Sequence, residues 1–335
     1  MIREALGRLA DRQDLCADVM GSVMDEIMRG EATTAQVAAF AIALRMKGET
    51  VEELAAAAGR LRAGGTTLGG APAACLDTCG TGGDGTATFN ISTTAAFVVA
   101  GAGIPVAKHG GRAVSSRAGS ADVLEAIGVR IDLPASQARA CLDQVGICFL
   151  FAPAYHESMR HAVAARREIG VRTFFNLLGP LANPAGARRQ LLGVYAEPLT
   201  QTLAKVLARL GCERAWVVWG EGGLDEVSVA GRTRVAELSE GVIRCFDLEP
   251  EAFGLPRHGM EKLRGGDADE NAKLLRDVLS GEKGPRRDVV IANAAAALVV
   301  AGLAKNPKHG AELAAASIDR GEALAKLDAL IRFTT

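Results

Sequence analysis

Twice in this chain a short apolar run ends in a glycine-rich turn and gives way to a helical stretch, a pattern that few folds accommodate. Cys75 to Cys79 runs into Gly80-Thr81-Gly82-Gly83-Asp84-Gly85 ahead of a helix from about Ser92. Ile104 to Ala107 runs into Lys108-His109-Gly110-Gly111-Arg112 ahead of a helix from about Ser120. Repeated strand–turn–helix units place strands parallel and cover the sheet with helices. Further strand candidates are Phe149-Leu150-Phe151, Leu192 to Tyr195 and Trp216 to Trp219, and Thr233 to Ala236 with Ile243 to Phe246 reads as a hairpin at a sheet edge. The fold class expected is α/β with a mainly parallel sheet.

The residues before these units carry no strand pattern. Thr33 with Gln36 and Thr50 with Glu53 have capping-box spacing ahead of alanine- and leucine-rich runs, which predicts helices. Glycine and proline gather from Ala63-Gly64-Gly65 to Gly69-Gly70-Ala71-Pro72, so a boundary is expected near residue 72, with a helical domain over 1–72 and the α/β domain over 73–335. The stretch 159–186, basic and helical at first and then rich in Gly, Pro and Asn, is expected to rejoin the helical part.

Lys and Arg (38) nearly balance Asp and Glu (39), which leaves no electrostatic footprint for nucleic acid or an anionic membrane. Met1-Ile2-Arg3-Glu4-Ala5 lacks the apolar stretch of a signal peptide, and the seven cysteines form no CxxC pair, so a cytoplasmic protein with reduced thiols is expected. Val289 to Ala304 is apolar but short for a membrane span, and Asn293 interrupts it; a buried helix is expected there.

Four clusters carry chemistry. In the turn from Gly80 to Gly85, followed by Asn90-Ile91-Ser92-Thr93-Thr94, glycines let successive N–H groups converge on phosphate oxygens near a positive helix end. A tight structural turn is the bland alternative. Lys108 to Ser116, followed by Gly119-Ser120-Ala121-Asp122, joins two cations, hydroxyls and small residues in what reads as a loop able to close on a polyanion. Asp225-Glu226, beyond the strand ending at Trp219, pairs two carboxylates where magnesium would find protein oxygens beside substrate phosphates. Arg166-Arg167, followed by Arg172-Thr173-Phe174-Phe175 and Gly179-Pro180-Leu181-Ala182-Asn183-Pro184, joins cations to a rigid apolar turn suited to an aromatic acid; a solvated helix face is the alternative.

Taken together, GTGGDGTATFNIST at 80–93, KHGGRAVSSRAGSADVLEAIGV at 108–129, VRTFFNLLGPLANPAG at 171–186 and GLDE at 223–226 resemble the anthranilate phosphoribosyltransferase family, in the glycosyltransferase group that also holds the pyrimidine nucleoside phosphorylases. The likeness runs along essentially the whole chain. It implies a small helical domain joined to a larger α/β domain, an active site in the cleft between them, and a homodimer formed through the helical domains. The implied reaction joins the amine of anthranilate to C1′ of phosphoribosyl diphosphate with two magnesium ions bound, in tryptophan biosynthesis.

By motif position the resemblance assigns Gly80, Gly83, Asp84, Thr88, Asn90, Ile91, Ser92 and Thr93 to the donor site. Lys108, His109, Gly110, Gly111, Arg112, Ser115, Ser116 and Ser120 belong to that site or its closing loop, with Lys108, Arg112, Asp225 and Glu226 carrying the catalysis. Ser92, Asp225 and Glu226 would hold metal, and Arg166 the anthranilate carboxylate. Family members usually read KHGNR where this chain has Gly111, so the amide they turn toward the acceptor is missing. That departure keeps open a related transferase or phosphorylase with another acceptor. A non-catalytic nucleic-acid-binding relative would need a basic groove, which the charge balance does not favour.

Overall fold

The structure, a computed structural model, describes residues 1–113 and 117–335. It opens with α1 (Ile2–Ala10), α2 (Ala17–Met28), α3 (Thr34–Lys47) and α4 (Val51–Gly64). Both capping boxes form: Gln36 and Glu53 backbone N–H groups donate to Thr33 and Thr50 Oγ1, each at 3.2 Å, and the Gln36 and Glu53 side chains accept in return from the Thr33 and Thr50 backbones.

Then come β1 (Leu76–Gly80), α5 (Ile91–Gly101), β2 (Val106–Gly110), α6 (Ser120–Ala126), α7 (Ala135–Val145) and β3 (Ile147–Phe151). The chain continues through α8 (Ala152–Tyr155), α9 (Arg160–Ile169), α10 (Phe175–Leu181), β4 (Arg189–Gly193), α11 (Leu199–Arg209) and β5 (Arg214–Gly220). It closes with β6 (Thr233–Ser239), β7 (Val242–Leu248), α12 (Ala268–Leu279), α13 (Pro285–Ala301), α14 (Pro307–Asp319) and α15 (Glu322–Thr334).

Among the described residues the seven strands form one sheet in the order β3-β2-β1-β4-β5-β6-β7. The first five strands in that order are parallel; β6 and β7 are antiparallel and make the edge hairpin. Its turn needs two residues with positive φ, supplied by Glu240 (53°) and Gly241 (75°). From β3 to β5 the sheet is buried on both faces: α5, α13 and α15 lie in one core, while α4, α10 and α11 share the other with the N-terminal helices. The helix α9 packs on α2 and α3, and α10 on α4, so the stretch from Arg160 lies with the first helices.

The strand bounds all shift from the sequence reading, and two of the shifts bear on the site. β2 begins after Pro105, which cannot donate to the ladder, and runs through Lys108 and His109 to Gly110. Those residues therefore stand in a buried strand rather than in a loop, where their charge hid the strand pattern. β4 begins earlier, at Arg189, and ends at Gly193, whose bare face lies against the backbone of Asp225. The apolar stretch is α13, buried on nearly every side, and Asn293 is fully buried within it. No described helix is long and apolar enough to cross a membrane.

Candidate active site

From β1 the chain runs to β2 on one side of the sheet, while β4 lies on the other. Ligands of open parallel sheets bind outside the strand ends at such a switch point. There Gly80 of β1 faces Gly193 of β4 in register. A Cβ on Gly193 would overlap the carbonyl of Asp225 outright and stand 3.1 Å from its Cα; one on Gly80 would meet Asp225 Cγ at 2.9 Å. Two bare strand ends thus admit the loop after β5. Gly193 was not among the sequence-derived candidates, because its neighbour is set by strand order and not by any local motif.

The turn from β1 to α5 holds Gly82, Gly83 and Gly85 at φ values of 67°, 71° and 77°, a conformation that side chains resist and that turns N–H groups inward. Gly82 N donates to Asp225 Oδ2 at 2.7 Å, and Ser92 N, in the first turn of α5, donates to Glu226 Oε1 at 3.0 Å. The glycine turn and the acidic pair are therefore one structure. Asp84 accepts from Thr86, Thr88 pairs its backbone with Arg264, and the side chain of Ile91 is buried, leaving only its backbone toward the crevice.

Lys108, although buried, donates to Thr78 O at 2.6 Å and Ser92 Oγ at 3.2 Å. His109 points to the opposite face, as alternation along a strand requires, with Nδ1 3.1 Å from Gly179 O, while its N–H donates to Asp77 Oδ1 at 3.2 Å. Its ring meets that of His156 edge-on at 5.3 Å. Burial first, then His156, pushes His109 down to about 3, so it is a neutral imidazole.

Burial pushes Asp225 up to about 7, helped by the nearby charge of Asp84, and pushes Glu226 up to about 8, helped by Asp225. Burial lowers Lys108 and raises Asp77, whose carboxylate accepts from His109 N and Gln190 Nε2. The ammonium of Lys108 is held by Thr78 O and Ser92 Oγ, and Ser92 N in turn holds the Glu226 carboxylate.

At the rim, Asn90 donates to Ala118 O at 3.3 Å and accepts from Asn271 Nδ2 at 3.0 Å, and Thr93 Oγ1 donates to Ser120 Oγ at 2.9 Å. Gly110 ends β2 against Phe149, and Gly111 has open space where a Cβ would stand. Arg112 does not point freely into the crevice: it is half exposed and held by Asp122 (3.0 Å) and Glu125 of α6. Ser115 and Ser116 lie outside the described residues. Across the cleft, Arg166 lies partly buried in the last turn of α9 with its guanidinium 5.8 Å from the Phe175 ring centroid. Burial lowers its pKa, and among the described residues no carboxylate pairs with it.

A glycine nest at a parallel-sheet switch point, joined to a buried carboxylate pair, defines an α/β enzyme built around an anionic substrate. The chain belongs to the glycosyl transferase family: the family's helical bundle domain matches residues 3–65 and its a/b domain residues 73–324. It is 54% identical to the anthranilate phosphoribosyltransferase of Syntrophobacter fumaroxidans over 334 residues, covering 100% of this chain and 99% of the relative. It is 55% identical to that of Anaeromyxobacter sp. over 334 residues, with the same coverage. The crystal structure of the Thermus thermophilus enzyme superposes with a TM-score of 0.93 at 42% identity, covering 98% of this chain and 99% of that one. The Saccharomyces cerevisiae enzyme in complex with PRPP and Mg gives 0.91 at 30% identity, covering 99% and 97%.

Proposed function

We infer that this chain is an anthranilate phosphoribosyltransferase: it transfers the phosphoribosyl group of phosphoribosyl diphosphate to the amine of anthranilate. The products are N-(5-phosphoribosyl)anthranilate and pyrophosphate, and the step belongs to tryptophan biosynthesis. Near-complete coverage of the relatives at this identity supports the activity. The observation that carries the site is the hydrogen bond from Gly82 N to Asp225 Oδ2, which joins the phosphate-binding turn to the acidic pair.

Magnesium fits these residues. Asp225 and Glu226 stand side by side, held by Gly82 N and Ser92 N, a local excess of negative charge that divalent cations would offset. Two carboxylates and a hydroxyl suit an ion that completes its shell with water and phosphate oxygens. Asp225, Glu226 and the Ser92 hydroxyl would hold two such ions. When bound, magnesium supplies charge neutralisation to the leaving diphosphate.

The remaining work falls to the chain's own groups. The N–H groups of the Gly80–Gly85 turn, with Asp84, Thr88, Asn90 and Thr93, cradle the donor. Lys108 balances the acidic pair from below and orients Ser92 Oγ. Arg112 and Ser120, with Ser115 and Ser116 from outside the described residues, supply further groups to bind the diphosphate. Arg166, a desolvated cation above an aromatic ring, binds the anthranilate carboxylate, while neutral His109 lines the acceptor side and carries no charge to repel the amine. The C1′–N bond forms as the C1′–O bond to pyrophosphate breaks, and the amine then loses its proton. Alignment and charge stabilisation supply the acceleration, with no covalent nucleophile. The helical unit of 1–72 with 159–186 forms one wall of the cleft, and the enzyme acts as a cytoplasmic homodimer.

Steady-state assay with phosphoribosyl diphosphate, anthranilate and magnesium tests this reading. Alanine at both Asp225 and Glu226 should abolish turnover with the fold intact by circular dichroism. Turnover of another amine or a nucleoside in place of anthranilate, or activity surviving metal removal, would overturn it.

A further inference from the structure

We propose that Asn293 is a positioning residue for the acidic pair, an inference that rests on the metal-binding role of Asp225 and Glu226. Asn293 is fully buried in α13, a helix of the sheet's cover that is buried along nearly its whole length. A buried amide destabilises unless its groups are paired, and here they are. Val227 N donates to its Oδ1 at 2.8 Å, and its Nδ2 donates to Val227 O at 2.9 Å and Val289 O at 2.9 Å.

The side chain thus gives Val227 what a neighbouring strand would give, one acceptor and one donor to a single residue. Val227 needs this substitute because the chain left the sheet at Gly220, yet Leu224, Val227 and Val229 stay fully buried in the core. Val227 directly follows Glu226. The loop carrying the pair is therefore fixed from both sides: Gly80 and Gly193 leave space for Asp225 on the sheet, and the α13 amide holds the next peptide units from behind. Metal ligands tolerate displacements of only about 0.2 Å. Groups that orient ligands in this way typically change metal affinity about 10-fold or more when lost.

The test compares wild type with Asn293→Ser, Asn293→Leu and a packing control in the same helix, Val290→Ala. Two readouts are taken: calorimetric binding of Mn2+ in the presence of phosphoribosyl diphosphate, and the Mg2+ concentration giving half-maximal turnover. Asn293→Ser should weaken both about 10-fold and leave the KM for anthranilate unchanged; should Asn293→Leu fail to fold, the serine variant decides alone. Val290→Ala should lower thermal stability without moving either metal constant. In an Asp225→Ala background the serine substitution should cause no further loss of metal binding, since the two act through one site. Unchanged metal constants in Asn293→Ser, or an equal shift in Val290→Ala, would overturn the proposal while leaving the metal site standing. Wild-type Mn2+ binding that Asp225→Ala leaves intact would instead overturn the metal reading, and the proposal with it.

Discussion

Gly193→Ala puts one methyl group where the site has no room for it. The added Cβ overlaps the carbonyl carbon and oxygen of Asp225 and stands 3.1 Å from its Cα. Non-bonded carbon and oxygen settle at about 3.5 Å, so the Asp225 backbone must retreat by roughly 1–2 Å. Such a retreat breaks the 2.7 Å bond from Gly82 N and pulls Glu226 from Ser92 N. A misplacement of about 1 Å can cost ~100-fold in rate, or about 2.7 kcal/mol of transition-state stabilisation. Overpacking costs the fold only about 1–3 kcal/mol, which for a chain of 335 residues lowers Tm by roughly 1–4 °C.

The expected phenotype is therefore a folded protein whose kcat/KM has fallen at least 100-fold and whose Mg2+ requirement has risen. Gly7→Ala serves as the control: its Cβ meets nothing within 4 Å, and alanine in helix α1 should hold or raise stability by about 0.5–1 kcal/mol with activity unchanged. Steady-state kinetics over a magnesium series, with a thermal melt of each variant, make the measurement. If Gly193→Ala kept kcat/KM within about 3-fold of wild type at the same Mg2+ requirement, the idea that bare strand ends set the position of the acidic pair would be wrong.

Two further outcomes follow from the same geometry. In metal-free protein, Asp225 and Glu226 are raised to about 7 and 8, so between about pH 5 and 7 each keeps a proton when folded that it has lost when unfolded. Stability should then fall as pH rises, by about 1.4 kcal/mol per pH unit per proton and about 2.7 for both, and level off above pH 8. Urea titrations from pH 5 to 9 should show this slope in wild type but not in Asp225→Asn with Glu226→Gln, and equal slopes would refute the burial argument. Gly111→Asn meets open space, so it should fold as wild type and, through one added hydrogen bond of about 1 kcal/mol, lower the KM for anthranilate about 5-fold. An unchanged or higher KM would mean that the pocket meets the acceptor by other groups.

What the sequence discloses here is local. The capping boxes at Thr33 and Thr50, the Gly80–Gly85 turn and the edge hairpin each rest on residues close together along the chain, and each forms as read. The bounds of β2 escaped because a strand is recognised by apolar alternation, and Lys108 and His109 break that pattern while remaining buried. Gly193 escaped because its meaning depends on β4 crossing to the far side of β1, which the order of strands in sequence does not reveal.

Asn293 lies between these cases. As an interruption in an apolar run it was visible, but its partner, Val227, is 66 residues away on another element. The same reasoning explains the chemistry. A lysine in a buried strand needs acceptors near it, and Lys108 finds them in Thr78 O of β1 and Ser92 Oγ of α5, beside the Asp225-Glu226 pair of the loop after β5. Two adjacent carboxyl groups outnumber that one ammonium, and the excess suits the divalent cation proposed for the site. Each of the four residues looks ordinary in sequence; only their shared burial at the switch point makes them a site.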